Sequence, residues 1–125
     1  MTTVNTPITY SGADPDLYPH DNWFATADAL KEEIGRAEFD IALMACGSYA
    51  MPLGVFIEKS MKKKAIYVGG VLQLFFGIMG RRYENSFFVD QIHRENFIRP
   101  IERKTVERMI PKEVTAPHEA FGAYF

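Results

Sequence analysis

The chain has 125 residues, enough for one domain with its own core and no need of disulfides or metal. With 47% apolar and 24% charged residues it has the balance of an ordinary globular protein, which excludes wholesale disorder. A formal charge of −2 offers no electrostatic case for nucleic acid or an acidic membrane, and a single cysteine excludes an intrachain disulfide.

The N-terminus, Met1-Thr2-Thr3-Val4-Asn5-Thr6, has neither the basic start nor the apolar core of a signal peptide. No apolar run approaches the ~20 residues that span a bilayer. A soluble, cytoplasmic protein is expected.

Residues 7–10, Pro-Ile-Thr-Tyr, form a short β-prone run, and Ser11-Gly12-Ala13-Asp14-Pro15 after it is turn chemistry. A loop is expected up to Asn22, with Asp21 or Asn22 capping a helix. Trp23, Ala27, Leu30 and Ile34 then recur at spacings of 4, 3 and 4, one helical face, and Gly35 is the expected stop. Residues 39–45 are apolar apart from Asp40, the pattern of a central strand covered on both faces.

A second helix is expected over residues 48–59, with Met51, Val55, Phe56 and Lys59 at helical spacing and Pro52 tolerated in the first turn. Lys62-Lys63-Lys64 suits a helix C-terminus, and residues 65–68 read as the next buried strand. After Gly69-Gly70, residues 71–79 are apolar nearly all round, which predicts a buried helix ending at Gly80. The pattern weakens beyond Ser86. Phe87, Phe88, Val89 and Ile92 suggest a short element, residues 102–117 are polar, and the aromatic end Phe121-Gly122-Ala123-Tyr124-Phe125 is expected to dock back on the core.

The order of helices and strands predicts an α/β fold, a small Rossmann-like three-layer domain with about three parallel strands and an irregular C-terminal tail. Residues 1–22 would be an N-terminal strand and loop, 23–83 the α/β core, and 84–125 the tail.

Ligands of open parallel sheets settle at the carboxyl ends of the strands. Both glycine corners, Cys46-Gly47-Ser48 and Gly69-Gly70, fall at such ends and are expected to share one edge. Glycine permits close backbone approach, Ser48 and Tyr49 carry hydroxyls, Gln73 lies one turn beyond Gly70, and Arg81-Arg82 carries charge for an anion. The plainer reading is that any strand-to-helix corner favours Gly and Ser. Neither the dinucleotide glycine fingerprint nor a phosphate-binding P-loop occurs.

Cys46 has a nucleophile's position, but Met44 stands where a nucleophile elbow wants glycine, so a buried thiol is the preferred reading. His20, His93 and His118 are isolated, with no pair at metal-ligand spacing, so no structural zinc site is expected, and Asp14 with Asp16 fits a divalent-cation pair and an Asp-Pro-Asp turn equally well. Arg81-Arg82 alone is more often a solvated helix end than an anion clamp.

Phe39-Asp40-Ile41-Ala42-Leu43 through Gly70-Val71-Leu72-Gln73-Leu74-Phe75-Phe76-Gly77-Ile78-Met79-Gly80-Arg81-Arg82-Tyr83 resembles the C-terminal part of a family of largely uncharacterised bacterial proteins. That family's pattern runs Phe-Asp-x-Ala-Leu-Ile-Gly-x-Gly-Ala-Tyr-Gly, then Ala-Ile-His-x-Gly-Gly-x-x-Gln-x-Leu-Phe-Gly-Ile-x-Gly-x-Arg-Trp. Such proteins look distantly similar to glycosyltransferases of the GT-D type. By position, Gly47, Tyr49, Gly69, Gly70, Gln73, Gly77, Gly80, Arg82 and Arg99 match. Ala45 and Ala50 replace glycine, Tyr67 replaces histidine and Tyr83 replaces tryptophan.

The strand-end corners and the resemblance together make Cys46, Gly47, Ser48, Tyr49, Gly69, Gly70, Gln73, Arg81 and Arg82 the expected contacts for a nucleotide, a nucleotide-sugar or a similar polar ligand; of these the resemblance itself carries Gly47, Tyr49, Gly69, Gly70, Gln73 and Arg82. It also implies that the acidic, metal-holding region of the longer relatives is not in this stretch, so that the chain is not expected to catalyse alone; were it an enzyme, glycosyl transfer would be the reaction. The competing expectation is an interaction module without a small-molecule ligand, whose apolar helix 71–79 packs against a second copy or a partner chain.

Overall fold

A computed structural model describes residues 1–7, 16, 18–84, 86, 91 and 94–99. The expected strand at residues 7–10 falls almost entirely outside them. Asp14, His93, His118, most of the element suggested by Phe87 to Ile92, and the whole tail from Pro100 also lie outside the described residues. The chain divides into two compact units, Met1–Pro7 with Tyr18–Leu72, and Ile8–Leu17 with Gln73–Phe125.

The first unit holds helix α1 (Trp23–Arg36), strand β1 (Ile41–Met44), helix α2 (Ala50–Lys59) and strand β2 (Lys64–Tyr67). Asn22 caps α1: its backbone is extended, and its side-chain oxygen accepts from the Ala25 amide at 2.9 Å. Ala27, Leu30 and Ile34 are buried and Trp23 partly so, the stripe expected from the spacing, and Thr26 is buried beside them. The helix runs through Gly35 and ends at Arg36. One glycine costs a helix only about 1 kcal/mol, too little to stop it without a following breaker.

β1 and β2 are parallel, with Ile41 opposite Lys64 and Met44 opposite Tyr67. Among the described residues this two-stranded sheet is the only one. The fold is therefore α/β with a parallel sheet. Its side chains alternate. Ala42, Met44 and Ala65 join the core formed with Leu30 and Ile34 of α1 and Leu53 and Ile57 of α2.

Ile41, Leu43 and Ile66 point the other way and are 49%, 54% and 49% exposed. The expectation of strands buried on both faces is thus corrected. Both helices contribute to the core on one side of the sheet, and an apolar run cannot say how many layers will cover it.

α2 corrects a second expectation. Ala50, Leu53 and Ile57 are buried, whereas Met51 and Val55 are exposed. The helix carries two interleaved apolar sets at helical spacing, and the sheet selects one. Gly54 lies on the sheet side, where an added Cβ would sit 3.4 Å from Met44 Cε. Lys62 adopts a positive φ of 57° in the turn after α2, and Lys64 already belongs to β2. Lys63 instead stacks its ammonium over the Phe39 ring at 4.4 Å.

The buried helix expected over residues 71–79 is not formed. A 3-10 turn, Gly69–Val71, leads into the four-residue helix α3 (Leu72–Phe75), which buries none of its residues. Phe75 and Phe76 are exposed. The chain reverses at Gly77, whose φ of +70° and a neighbouring Asn96 carbonyl 3.4 Å from any added Cβ both favour glycine.

In the second unit Ile78 bridges Ile98 in parallel: the Ile98 amide donates to Gly77 O at 2.8 Å and the Met79 amide to Ile98 O at 2.9 Å. Met79 and Tyr83 are buried there, and Arg99 pairs with Glu84.

Candidate functional site

Each strand of the sheet ends the same way. β1 passes through Cys46 into Gly47, at φ +53°, which opens the 3-10 turn Gly47–Tyr49. β2 passes through Val68 into Gly69, at φ +70°, which opens the 3-10 turn Gly69–Val71. The ladder reaches to these corners, since the Val68 amide donates to Met44 O at 2.9 Å. Cys46-Gly47-Ser48 and Gly69-Gly70 therefore leave the carboxyl ends of adjacent, in-register strands. Nothing lies within 4 Å of a Cβ added at Gly47, so conformation alone asks for glycine there.

Tyr49 is the buried anchor of the first corner. Its ring lies parallel to the Trp23 indole, with centroids 5.0 Å apart and planes within 8°. Trp23 Nε1 donates to Ser48 Oγ at 3.3 Å. Ser48 is exposed, and accepting from Trp23 leaves its hydroxyl hydrogen outside that bond. Trp23 enters this neighbourhood from the start of α1, 25 residues upstream of Ser48. Its helical spacing marks it as a core residue, and no local signal ties it to the corner. Tyr67, by its pattern only a strand residue, is 62% exposed at the end of β2, with its Cζ and hydroxyl oxygen 3.7 Å from a Cβ built on Gly69.

Cys46 is half-buried and free. Burial pushes its thiol above the ordinary range, with a backbone hydrogen bond acting the other way. A neutral thiol at neutral pH is a poor nucleophile, in keeping with its reading as a packing residue.

Gln73, Arg81 and Arg82 belong to the second unit. Gln73 Nε2 is buried without a hydrogen-bond partner among the described residues. Arg82 is exposed, with its guanidinium 5.2 Å from the Tyr83 ring centroid, and Arg81 opens the 3-10 turn Arg81–Tyr83. The structure thus gathers six of the nine expected residues at one sheet edge: Cys46, Gly47, Ser48, Tyr49, Gly69 and Gly70.

No family model, no curated protein and no solved structure matches the chain.

Two further features bear on chemistry. Among the described residues no three of His, Cys, Asp and Glu cluster so as to hold a metal ion, and no helix is long and apolar enough to cross a membrane. A cavity of about 410 Å³ lies between the N-terminal segment and α1, bordered by Asn5, Thr6, His20, Thr26, Leu30 and Glu33. There the Thr26 hydroxyl donates to Asn22 O at 3.2 Å, so the 3.3 Å contact to His20 Nδ1 has the imidazole N–H as donor. That bond ties His20 to the cap of α1.

Proposed function

We propose that the carboxyl edge of the β1–β2 sheet binds a nucleotide, a nucleotide-sugar or a similar polar ligand, in a Rossmann-like layered domain related to glycosyltransferase-like proteins. The observation that carries this reading is the pair of positive-φ glycine corners leaving adjacent parallel strands in register. Such corners let a ligand approach backbone amides closely, and Ser48 adds a hydroxyl beside them. The exposed Tyr67 ring offers a face for a base or sugar next to Gly69. On this reading the chain binds rather than transfers by itself. Glycosyl transfer would draw on the acidic region that the resemblance assigns to the N-terminal part of longer relatives.

The test is a thermal-shift series with UDP-glucose, GDP-mannose and ADP. A ligand at ten times its dissociation constant stabilises by roughly 1.4 kcal/mol, a rise of several degrees in Tm. Ser48→Ala and Gly69→Val are expected to reduce that rise. No rise with any probe at millimolar concentration, together with unmoved Gly47, Ser48 and Gly69 amide resonances, overturns the reading.

A second reading has its own observation. Among the described residues, the sheet face of Ile41, Leu43 and Ile66 stays about half exposed on the side away from the helices, which favours an interaction module that pairs without a small-molecule ligand. The surface involved would be this face, not the apolar stretch 71–79.

A further inference from the structure

We propose that the open face of the β1–β2 sheet pairs with a second copy of this chain, the two sheets meeting face to face about a two-fold axis that runs along the strands. This rests on the interaction-module reading and specifies its surface and geometry.

Parallel sheets occur almost only with both faces covered. Here Ala42, Met44 and Ala65 are covered by the helices, while Ile41, Leu43 and Ile66 form a contiguous aliphatic patch on the opposite face. Leu43 and Ile66 are direct neighbours across the ladder, and Lys64 sits beside Ile41 on the same face. The lysine stem extends the patch and its ammonium stands at the rim.

Charge selects the occupant and the axis. β1 is entered through Glu38 and Asp40, and β2 through Lys62 and Lys64, all four exposed. None of the four takes part in an ion pair with a described residue. The opposite ends of the strands, Ala45-Cys46-Gly47-Ser48 and Val68-Gly69-Gly70, carry no charge.

A two-fold axis along the strands preserves height and exchanges β1 with β2. Leu43 of each copy then lies opposite Ile66 of the other, and the acidic entrance of β1 stands over the basic entrance of β2, twice by symmetry. An axis across the strands would set both charged entrances against neutral corners. The face is therefore self-complementary in one orientation, and such an isologous contact closes at two copies.

The experiment is sedimentation equilibrium on the full chain. Wild type is expected to dimerise and Leu43→Lys to be monomeric. Asp40→Lys and Lys64→Glu each place like charges at both rims, and each is expected to weaken the dimer by about tenfold or more. Mixing these two variants one to one restores opposite charges at both rims, so a heterodimer of near wild-type affinity is expected. Circular dichroism melts check that each variant is folded. Should Leu43→Lys fail to fold, the two charge variants at exposed positions decide alone. A wild-type monomer at every concentration overturns both this inference and the interaction-module reading. A dimer indifferent to Leu43→Lys and to the charge exchange overturns this inference and leaves pairing to another surface. Loss with Leu43→Lys but no rescue on mixing overturns the axis.

Discussion

The Val68 amide donates to the Met44 carbonyl at 2.9 Å, carrying the ladder between β1 and β2 to the point where both strands turn. That bond holds the two strand ends at one height, and the chain turns at Gly47, three residues past Met44, and at Gly69, two past Tyr67, each in a left-handed backbone conformation. Gly47→Ala and Gly69→Ala are expected to cost about 1–2 kcal/mol each, the price of a Cβ at positive φ. Gly54→Ala has the opposite sign: φ is helical, the Met44 Cε neighbour is a flexible tip at 3.4 Å, and a gain of up to about 1 kcal/mol follows from helix propensity. Urea unfolding of the three variants checks the signs.

The sheet side of α2 is read by truncation. Leu53 and Ile57 are each 1% exposed, so Leu53→Ala and Ile57→Ala are expected to lose about 2–5 kcal/mol. Met51, 81% exposed, should change stability by less than about 0.5 kcal/mol on truncation to alanine. Equal losses at Met51 and Leu53 would refute this assignment of the helix faces.

The start of α1 depends on two polar side chains. Asn22→Ala removes the acceptor for the Ala25 amide and is expected to cost about 1 kcal/mol. Thr26→Val keeps the buried volume but leaves Asn22 O and His20 Nδ1 without their hydroxyl partner, for a further loss of about 1–2 kcal/mol. The two residues share one cap, so the double variant should lose less than the sum. Denaturant midpoints measure it.

Cys46 sets an alkaline dependence. Burial raises its thiol pKa in the folded chain above the unfolded value, so folding favours the protonated form. That contribution is full below the unfolded value and is lost as pH rises through the folded one. Wild type should therefore lose stability relative to Cys46→Ser on moving from neutral to alkaline pH. Alkylation by iodoacetamide should be slow at neutral pH and accelerate at a higher pH than for a free thiol. A reaction already fast at neutral pH would contradict it.

Gln73 is tested by an apolar replacement of similar length. Its Nε2 is buried with no acceptor among the described residues, and such a group costs about 1–3 kcal/mol. Gln73→Met is expected to raise the unfolding midpoint, and a fall would show that the amide has a partner in solution.

Local patterns along the chain suffice for much of the first unit. Asn22 ahead of an apolar stripe marks the start of α1, and the stripe Ala27, Leu30, Ile34 names its buried face. Gly47 and Gly69 after two apolar runs mark both corners and, with a helix between them, imply parallel neighbours. Each of these signals depends on residues within one or two turns of one another, where propensity and period act directly.

What only the tertiary structure decides is which of several permitted surfaces becomes interior. The apolar run of β1 permits two covered faces, and the helices cover one. The sequence of α2 permits a Met51 face or a Leu53 face, and contact with Met44 and Ala65 selects the second. Residues 71–79 are apolar enough for a buried helix, yet the chain turns at Gly77 because Ile78 meets Ile98, some twenty residues on. Trp23 comes to Ser48 and Tyr49 only when α1 packs beside the corner. Burial is a property of the whole packing arrangement, so where a segment offers more than one apolar stripe its period alone cannot choose between them.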